Sequence, residues 1–125
     1  MKVVDTGVVV QLVANDLDPG RLGDEELAVP HLMDSEVINV LRRLVLSEVL
    51  TEKQGADAFE GFMRLTFSRF SAERLRPRMW ALRHNLSSYD ATYVALTEML
   101  GATALLTTDR RLANAPGINC QVEVL

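Results

Sequence analysis

Short apolar runs alternate with longer segments in which apolar residues recur at helical spacing. The predicted strands are 2–4, 27–29, 67–70, 103–107 and 120–124. The predicted helices are 6–13, 31–46, 51–65, 72–85, a segment from Ser87 or Ser88 to Leu100, and 110–114. This alternation predicts an α/β fold with three layers, in which a central, mostly parallel sheet is flanked by helices.

Local signals mark the ends of several of these elements. Thr51 to Gln54 matches a capping box at the start of a helix, and Gly101 suits the position just past a helix end. Pro77 falls inside the segment 72–85, where it could break a helix. The segment from about Leu50 to Leu86 carries no further signature of function.

The size and composition indicate one domain spanning residues 1–125. Hydrophobic residues make up 48% of the chain, enough for an ordinary core. No stretch approaches the roughly 20 apolar residues of a membrane span, and the first residues do not resemble a signal peptide. Cys120 is the single cysteine and cannot form an internal disulfide. We therefore expect a cytoplasmic protein that does not bind membranes.

Four acidic residues stand out by their places in this pattern. Asp5 and Asp109 each follow a predicted strand, and Glu36 and Asp90 lie near the starts of predicted helices. In a parallel sheet these positions all belong to the carboxyl edge, where open α/β folds bind their ligands. The four carboxylates can therefore converge although they span nearly the whole chain.

Asp90 is the most informative of the four. Helical spacing aligns it with Tyr93 and Thr97 on the inner side of its helix, where an unpaired carboxylate is costly and a bound cation would relieve that cost. Clustered carboxylates favour Mg²⁺ or Mn²⁺, and no CxxC or HxxxH pattern suggests zinc. Asp5, Asp90 and Asp109 are therefore expected to ligate the metal, and Glu36 to ligate it or to orient an attacking water.

Each acid taken singly also has a structural interpretation. Asp5 or Asp109 could be a helix N-cap, and Asp90 could simply favour a helix dipole. Glu36 shares a helix face with Asn39 and Arg43 and could pair with either. The joint placement of four acids at one edge favours the metal site.

Three segments resemble PIN domains, and in particular the VapC toxins of bacterial toxin–antitoxin pairs. They are VVDTGVVVQLV, PHLMDSEVINVLRR and SSYDATYVALTEMLGATALLTTDRRLANAPG. The resemblance implies a PIN fold, endoribonuclease activity dependent on Mg²⁺ or Mn²⁺, a homodimer, and inhibition by a cognate VapB-type antitoxin. Carried over residue by residue, the family's metal acids fall on Asp5, Glu36, Asp90 and Asp109.

The resemblance also points to hydroxyl groups near the acids. The small hydroxyl residue that precedes the last acid in many members falls on Thr107 or Thr108. Many members have Ser or Ala-Ser after the first acid, whereas this chain has Thr6-Gly7, in which Thr6 can still supply a hydroxyl. Thr6, Thr107 and Thr108 are therefore expected to support the acids or contact the substrate. The same roles are expected of Asn39 and Arg43, because they share a helix face with Glu36.

Other functions compatible with a small α/β fold were compared with this interpretation. A phosphoacceptor receiver domain needs a late lysine, and no lysine follows Lys53. A haloacid-type phosphatase needs a second aspartate two residues after the first, and Asp5-Thr6-Gly7 lacks it. A PIN-like fold that only binds a partner is disfavoured, because all four acids are present. A nuclease of related architecture that acts on DNA remains an alternative. The formal charge of −4 counts against a passive basic surface for nucleic acid.

Two sets of large apolar residues, each containing aromatic side chains, are predicted to have structural roles. Met79, Trp80 and Leu82 are expected to pack in the core or in a dimer contact rather than to stack on bases. Phe59, Phe62 and Met63 lie on one helix face, which predicts core packing or a groove for an antitoxin helix.

Overall fold

The computed structural model describes all residues from Met1 to Leu125. Five strands form one sheet in the order β3-β2-β1-β4-β5, and every neighbouring pair is parallel. The strands are β1 (Lys2–Val4), β2 (Leu27–Pro30), β3 (Ser68–Phe70), β4 (Leu105–Thr107) and β5 (Val122–Val124). The predicted α/β fold with a parallel sheet is confirmed.

Six α-helices connect and cover these strands. They are α1 (Thr6–Ala14), α2 (Leu32–Leu46), α3 (Glu52–Arg64), α4 (Arg76–Ala81), α5 (Ser88–Leu100) and α6 (Arg110–Ala113). Helix α1 packs against α2 and α3, whereas α5 packs against α4 and against β1 and β2. No helix has the length and apolar character needed to cross a membrane.

The strand order places the centre of the sheet at β1 and β4. After β1 the chain builds outward through β2 and β3, and it then returns to the other side of β1 with β4 and β5. Val3, Val4, Leu105 and Leu106 in these two central strands are fully buried. In such sheets the ligand site lies beyond the carboxyl ends of the strands, at the point where the strand order reverses.

Helix α5 is the most deeply buried helix of the fold. Seven consecutive residues, from Ala91 to Thr97, are buried. Ser87 caps its start, and Gly101 ends it in the left-handed conformation with φ of 56°. The inner face of α5 is therefore fixed against the sheet, and with it the position of Asp90 in its first turn.

Several element boundaries differ from those predicted. The expected helix over 72–85 is reduced to α4, because Pro77 lies in its first turn, where a proline is tolerated, and not in its interior. The strands expected from Thr103 and Cys120 each begin two residues later. The capping box is confirmed by reciprocal bonds between Thr51 and Gln54 at 3.0 and 2.9 Å.

The predictions for the two sets of large apolar residues are confirmed for some residues and wrong for others. Leu82 is buried and Met79 packs against the core, but Trp80 is 69% exposed, so the prediction of core packing was wrong for Trp80. The short α4 explains this, because only part of its surface faces the rest of the molecule. Phe62 belongs to the core, whereas Phe59 and Met63 are exposed on α3.

Candidate active site

Asp5 and Asp109 follow the two central strands. Asp5 comes directly after β1 and caps α1, accepting a hydrogen bond from the Val8 amide at 3.0 Å. Asp109 comes two residues after β4 and caps α6, accepting from the Arg111 amide at 2.9 Å. The N-cap interpretation therefore holds for both residues. A cap occupies only one carboxylate oxygen, so it is compatible with a second role.

Thr107 connects these two acids. Its buried hydroxyl donates to Asp5 Oδ2 and accepts a hydrogen bond from the Asp109 amide at 3.0 Å. Of the two threonines expected near the last acid, Thr107 makes this connection. Thr108 is exposed, and its Oγ1 lies over Gly7, where an added Cβ would come within 2.5 Å of it.

Glu36 is held by two hydroxyl groups from different helices. Tyr93 on α5 donates to Glu36 Oε1 at 2.6 Å. Thr6 Oγ1 on α1 lies 2.8 Å from both Glu36 Oε1 and the Tyr93 hydroxyl. Burial, and then the bond to Glu36, raise the pKa of Tyr93, so the phenol stays a neutral donor. The expected contribution of Thr6 is present in this contact.

Tyr93 was expected on the inner face of its helix, but no role was predicted for it. The spacing from Asp90 was the available signal, because residues three apart on a helix share a face. The suggested pairing of Glu36 with Asn39 or Arg43 is wrong. Both side chains are exposed, and neither hydrogen-bonds to an acid, because Glu36 is directed towards α1 and α5 instead.

The acids of this site repel one another. Burial raises the pKa of Asp5, against hydrogen bonds from Thr107 and Val8, and the charges of Asp90 and Asp109 raise it further. Burial also raises the pKa of Asp90, with further increases from the charges of Asp109 and Glu36. The sheet edge therefore brings the four carboxylates within electrostatic reach of each other.

Asp109 has a neighbouring cation. Arg111 Nη2 lies 3.1 Å from Asp109 Oδ2, and this hydrogen bond lowers the pKa of Asp109. The Arg111 side chain is 91% exposed, so this ion pair is accessible from solvent. Asp90, Asp109 and Arg111 line an open cleft of about 440 Å³, together with Asn85, Leu86, Ser87 and residues of the segment 112–116.

The side chains as they stand do not form a finished ligand set. No three His, Cys, Asp or Glu side chains are close enough together to hold one metal ion. The chemistry of the site nevertheless fits a hard divalent cation, since all four donors are carboxylates, and the pKa values of two of them are raised by burial and further by neighbouring negative charge.

A family model described as "PIN domain" matches residues 2–118. The chain belongs to the PIN-domain family. Curated relatives place it in the VapC group of that family. It is 40% identical to "VapC ribonuclease Mb0985" of Mycobacterium bovis over 100% of this chain and 98% of the relative. It is also 40% identical to "Ribonuclease VapC1" of Mycobacterium tuberculosis, over 98% of this chain and 96% of that protein.

Solved structures show the same fold at low identity. A chain of VapBC2 from Rickettsia felis, bound to a promoter DNA fragment, aligns with a TM-score of 0.71 at 15% identity and covers 99% of this PIN domain and 98% of that chain. VapC20 of Mycobacterium tuberculosis, described as a sarcin–ricin loop cleaving toxin, aligns with a TM-score of 0.68 at 15% identity. The match covers 95% of this PIN domain and 97% of VapC20.

The pKa shifts predict how charge removal changes stability in the absence of divalent cations. The pKa of Asp90 is raised in the fold, so its ionisation destabilises the fold as pH rises above the unfolded value of about 4. Asp90→Asn should therefore raise the melting temperature at pH 7, and this gain should vanish below about pH 4. Thermal melts in EDTA across this pH range measure the effect.

Asp109→Asn is the matched control, because Asn also caps helices and the pKa of Asp109 is lowered. This variant should lose a little stability at pH 7 and none at low pH. Equal losses of melting temperature in both variants at pH 7 would contradict the electrostatic description of the site.

Proposed function

We propose that this chain is a metal-dependent endoribonuclease and the toxin of a VapBC-type pair. The observation that carries the proposal is the group of four mutually repelling carboxylates at the carboxyl edge of the sheet, beside an open cleft. The curated relatives at 40% identity are named ribonucleases, which favours RNA over DNA as the substrate. Membership of the PIN-domain family argues against a receiver-like signalling domain.

We infer that Asp5, Asp90 and Asp109 hold Mg²⁺ or Mn²⁺, and that Glu36 ligates the metal or orients the attacking water. When bound, the cation would lower the pKa of water and stabilise negative charge at the phosphate. Thr107 holds the Asp5 carboxylate in place through Oδ2 and joins it to the Asp109 backbone. The positions of these two acids are therefore linked without a cation, whereas Asp90 and Glu36 take no part in this connection.

The two carboxylate oxygens of Glu36 differ in their contacts. Oε1 takes the contacts with Tyr93 and Thr6, so Oε2 is the oxygen left for a water or a ligand. Tyr93 is therefore a positioning residue, which acts through Glu36. Arg111 is the exposed cation of the cleft, and a phosphate of the substrate would compete with Asp109 for it.

Asp90→Asn tests the active site directly. This substitution keeps the volume and removes the charge, so cleavage of RNA should fall by at least about a hundredfold, because electrostatic stabilisation is a large part of such catalysis. Cleavage by the unmodified chain should require Mg²⁺ or Mn²⁺ and stop in excess EDTA. A fully active Asp90→Asn variant, or full activity in EDTA, would overturn the proposed metal site.

Tyr93→Phe tests the positioning of Glu36. Removing the hydroxyl takes a 2.6 Å donor from Glu36 without changing the ring, so cleavage should slow about tenfold while KM changes little. Tyr89→Phe is the control, because Tyr89 lies on the same helix and is 60% exposed. Glu36→Gln should lower cleavage in the same way, and combining it with Tyr93→Phe should add little. A wild-type rate for Tyr93→Phe would contradict the role.

We also propose a VapB-type antitoxin as partner. The Rickettsia felis VapBC2 structure and a Klebsiella pneumoniae toxin–antitoxin complex share this fold. In this chain a groove of about 390 Å³ runs between α2 and α3, lined mainly by Ile38, Leu41, Val45, Leu46 and Phe59. Ile38, Leu46 and Phe59 are exposed there, and an amphipathic helix binds by its apolar face in such a groove.

A small protein with a DNA-binding N-terminal part, if one is encoded beside this chain's gene, is the candidate with which to test this partner. Co-expressed with the chain, it should co-purify and suppress RNA cleavage. Leu46→Asp places a charge in the groove and should release it, whereas Val49→Asp, at 67% exposure outside the groove, should not. Undiminished inhibition of the Leu46→Asp variant would place the antitoxin elsewhere.

A further inference from the structure

Trp80 is the most exposed large hydrophobic residue in the structure and the only tryptophan of the chain. The Arg83 guanidinium lies over its ring, 4.5 Å from the centroid, and Arg83 Nη1 donates to the Trp80 carbonyl oxygen at 2.9 Å. Because Trp80 stays 69% exposed with this cation above it, the opposite face of the ring is open to solvent. Arg83 therefore covers one face of the indole, and the other face is available for contact with a ligand.

The surroundings of Trp80 connect it to the candidate active site. Trp80 lines a cleft of about 430 Å³, together with Arg76, Met79 and Arg83. Leu86 and Ser87 also line this cleft. Leu86 and Ser87 also line the cleft that contains Asp90 and Asp109. The two clefts therefore adjoin, and an extended ligand can occupy both.

The charge of this second cleft is opposite to that of the first. Arg76 and Arg83 are exposed and neither forms an ion pair, whereas Arg78 on the same helix is paired with Glu98 at 2.7 Å. No acidic side chain lines the Trp80 cleft. Two guanidinium groups without an ion-pair partner, beside an exposed aromatic ring, match the phosphates and the base of a nucleotide.

We propose that Trp80, Arg76 and Arg83 form a base-stacking subsite for an RNA nucleotide adjacent to the phosphate that is cleaved. This inference rests on the proposed ribonuclease function. The base stacks on the open face of Trp80, and the arginines contact the flanking phosphates. A base within a duplex has both faces covered by its neighbours, so this subsite accepts an unpaired nucleotide. The substrate is then single-stranded where it crosses the cleft.

A second copy of the chain fits this surface less well. In a two-fold symmetric contact the same patch meets itself. Such a contact would bring the positive charges of Arg76 and Arg83 from both copies into one interface, and no acidic residue lines the cleft to offset them. A polyanion removes this repulsion, whereas a second copy doubles the positive charge.

The fluorescence of the single tryptophan provides the test. Random-sequence single-stranded RNA dodecamers are titrated into the full chain in excess EDTA, and a gel confirms that the RNA remains intact. Binding should quench Trp80, and a 12-base-pair RNA duplex should not. A labelled dodecamer then gives the Kd of the variants. Trp80→Ala should weaken binding about fivefold or more, Trp80→Phe should keep most of the affinity, and Val49→Ala should bind like the unmodified chain.

Three results would overturn the subsite. The first is RNA binding without any change in Trp80 fluorescence, and the second is wild-type affinity for RNA in the Trp80→Ala variant. The third is a change from dimer to monomer in sedimentation when Trp80 is replaced by Ala, because this would assign the surface to a second copy of the chain. If the unmodified chain cleaves RNA with Mg²⁺ while Trp80 is insensitive, only the subsite fails. If it neither cleaves nor binds RNA, the proposed function fails with it.

Discussion

Val4 pairs with Leu106 in the parallel ladder between β1 and β4, and this register sets Asp5 beside Thr107 at the end of the two strands. The rest of the site follows from that pairing. Thr107 reaches Asp5 with its side chain and the Asp109 amide with the same oxygen, so one hydroxyl fixes the spacing of two acids. A slip of one residue would turn Thr107 to the other face of the sheet and separate them.

The buried strands and α5 hold the carboxylates near one another, and their apolar packing offsets the resulting electrostatic repulsion. Burying Asp5 and Asp90 and placing them near other acids costs free energy, as the raised pKa values of both carboxyl groups indicate. The fully buried side chains of β1, β4 and the middle of α5 supply hydrophobic stabilisation that keeps the carboxyl edge in place. The electrostatic repulsion is therefore confined to the edge of the sheet, where a bound ligand can reduce it.

The fold and the positions of the acids could be predicted because they depend on local patterns. Asp5 and Asp109 were found from their places after apolar runs, and Asp90 from helical spacing. The contact between Glu36 and Tyr93 could not be found in this way, since it joins residues 57 positions apart on two helices whose relative position only the packed fold determines. Core packing was expected for Trp80 because a long helix was expected over 72–85, and an apolar residue on such a helix is usually buried. The short α4 leaves Trp80 in solvent. The other expected role, a dimer contact, stays a prediction.

Asp5 and Asp109 cap helices in addition to the metal ligation proposed for them, and this has an evolutionary consequence. In a homologue that has lost catalysis, selection for stability alone would keep an Asp, Asn, Ser or Thr at these two positions, because the caps would still be needed. Asp90 has no such protection, since Ser87 already caps α5 and the loss of the Asp90 charge relieves repulsion. Position 90 is therefore where a decaying lineage should first diverge, and an aspartate there is the better sign of an active enzyme.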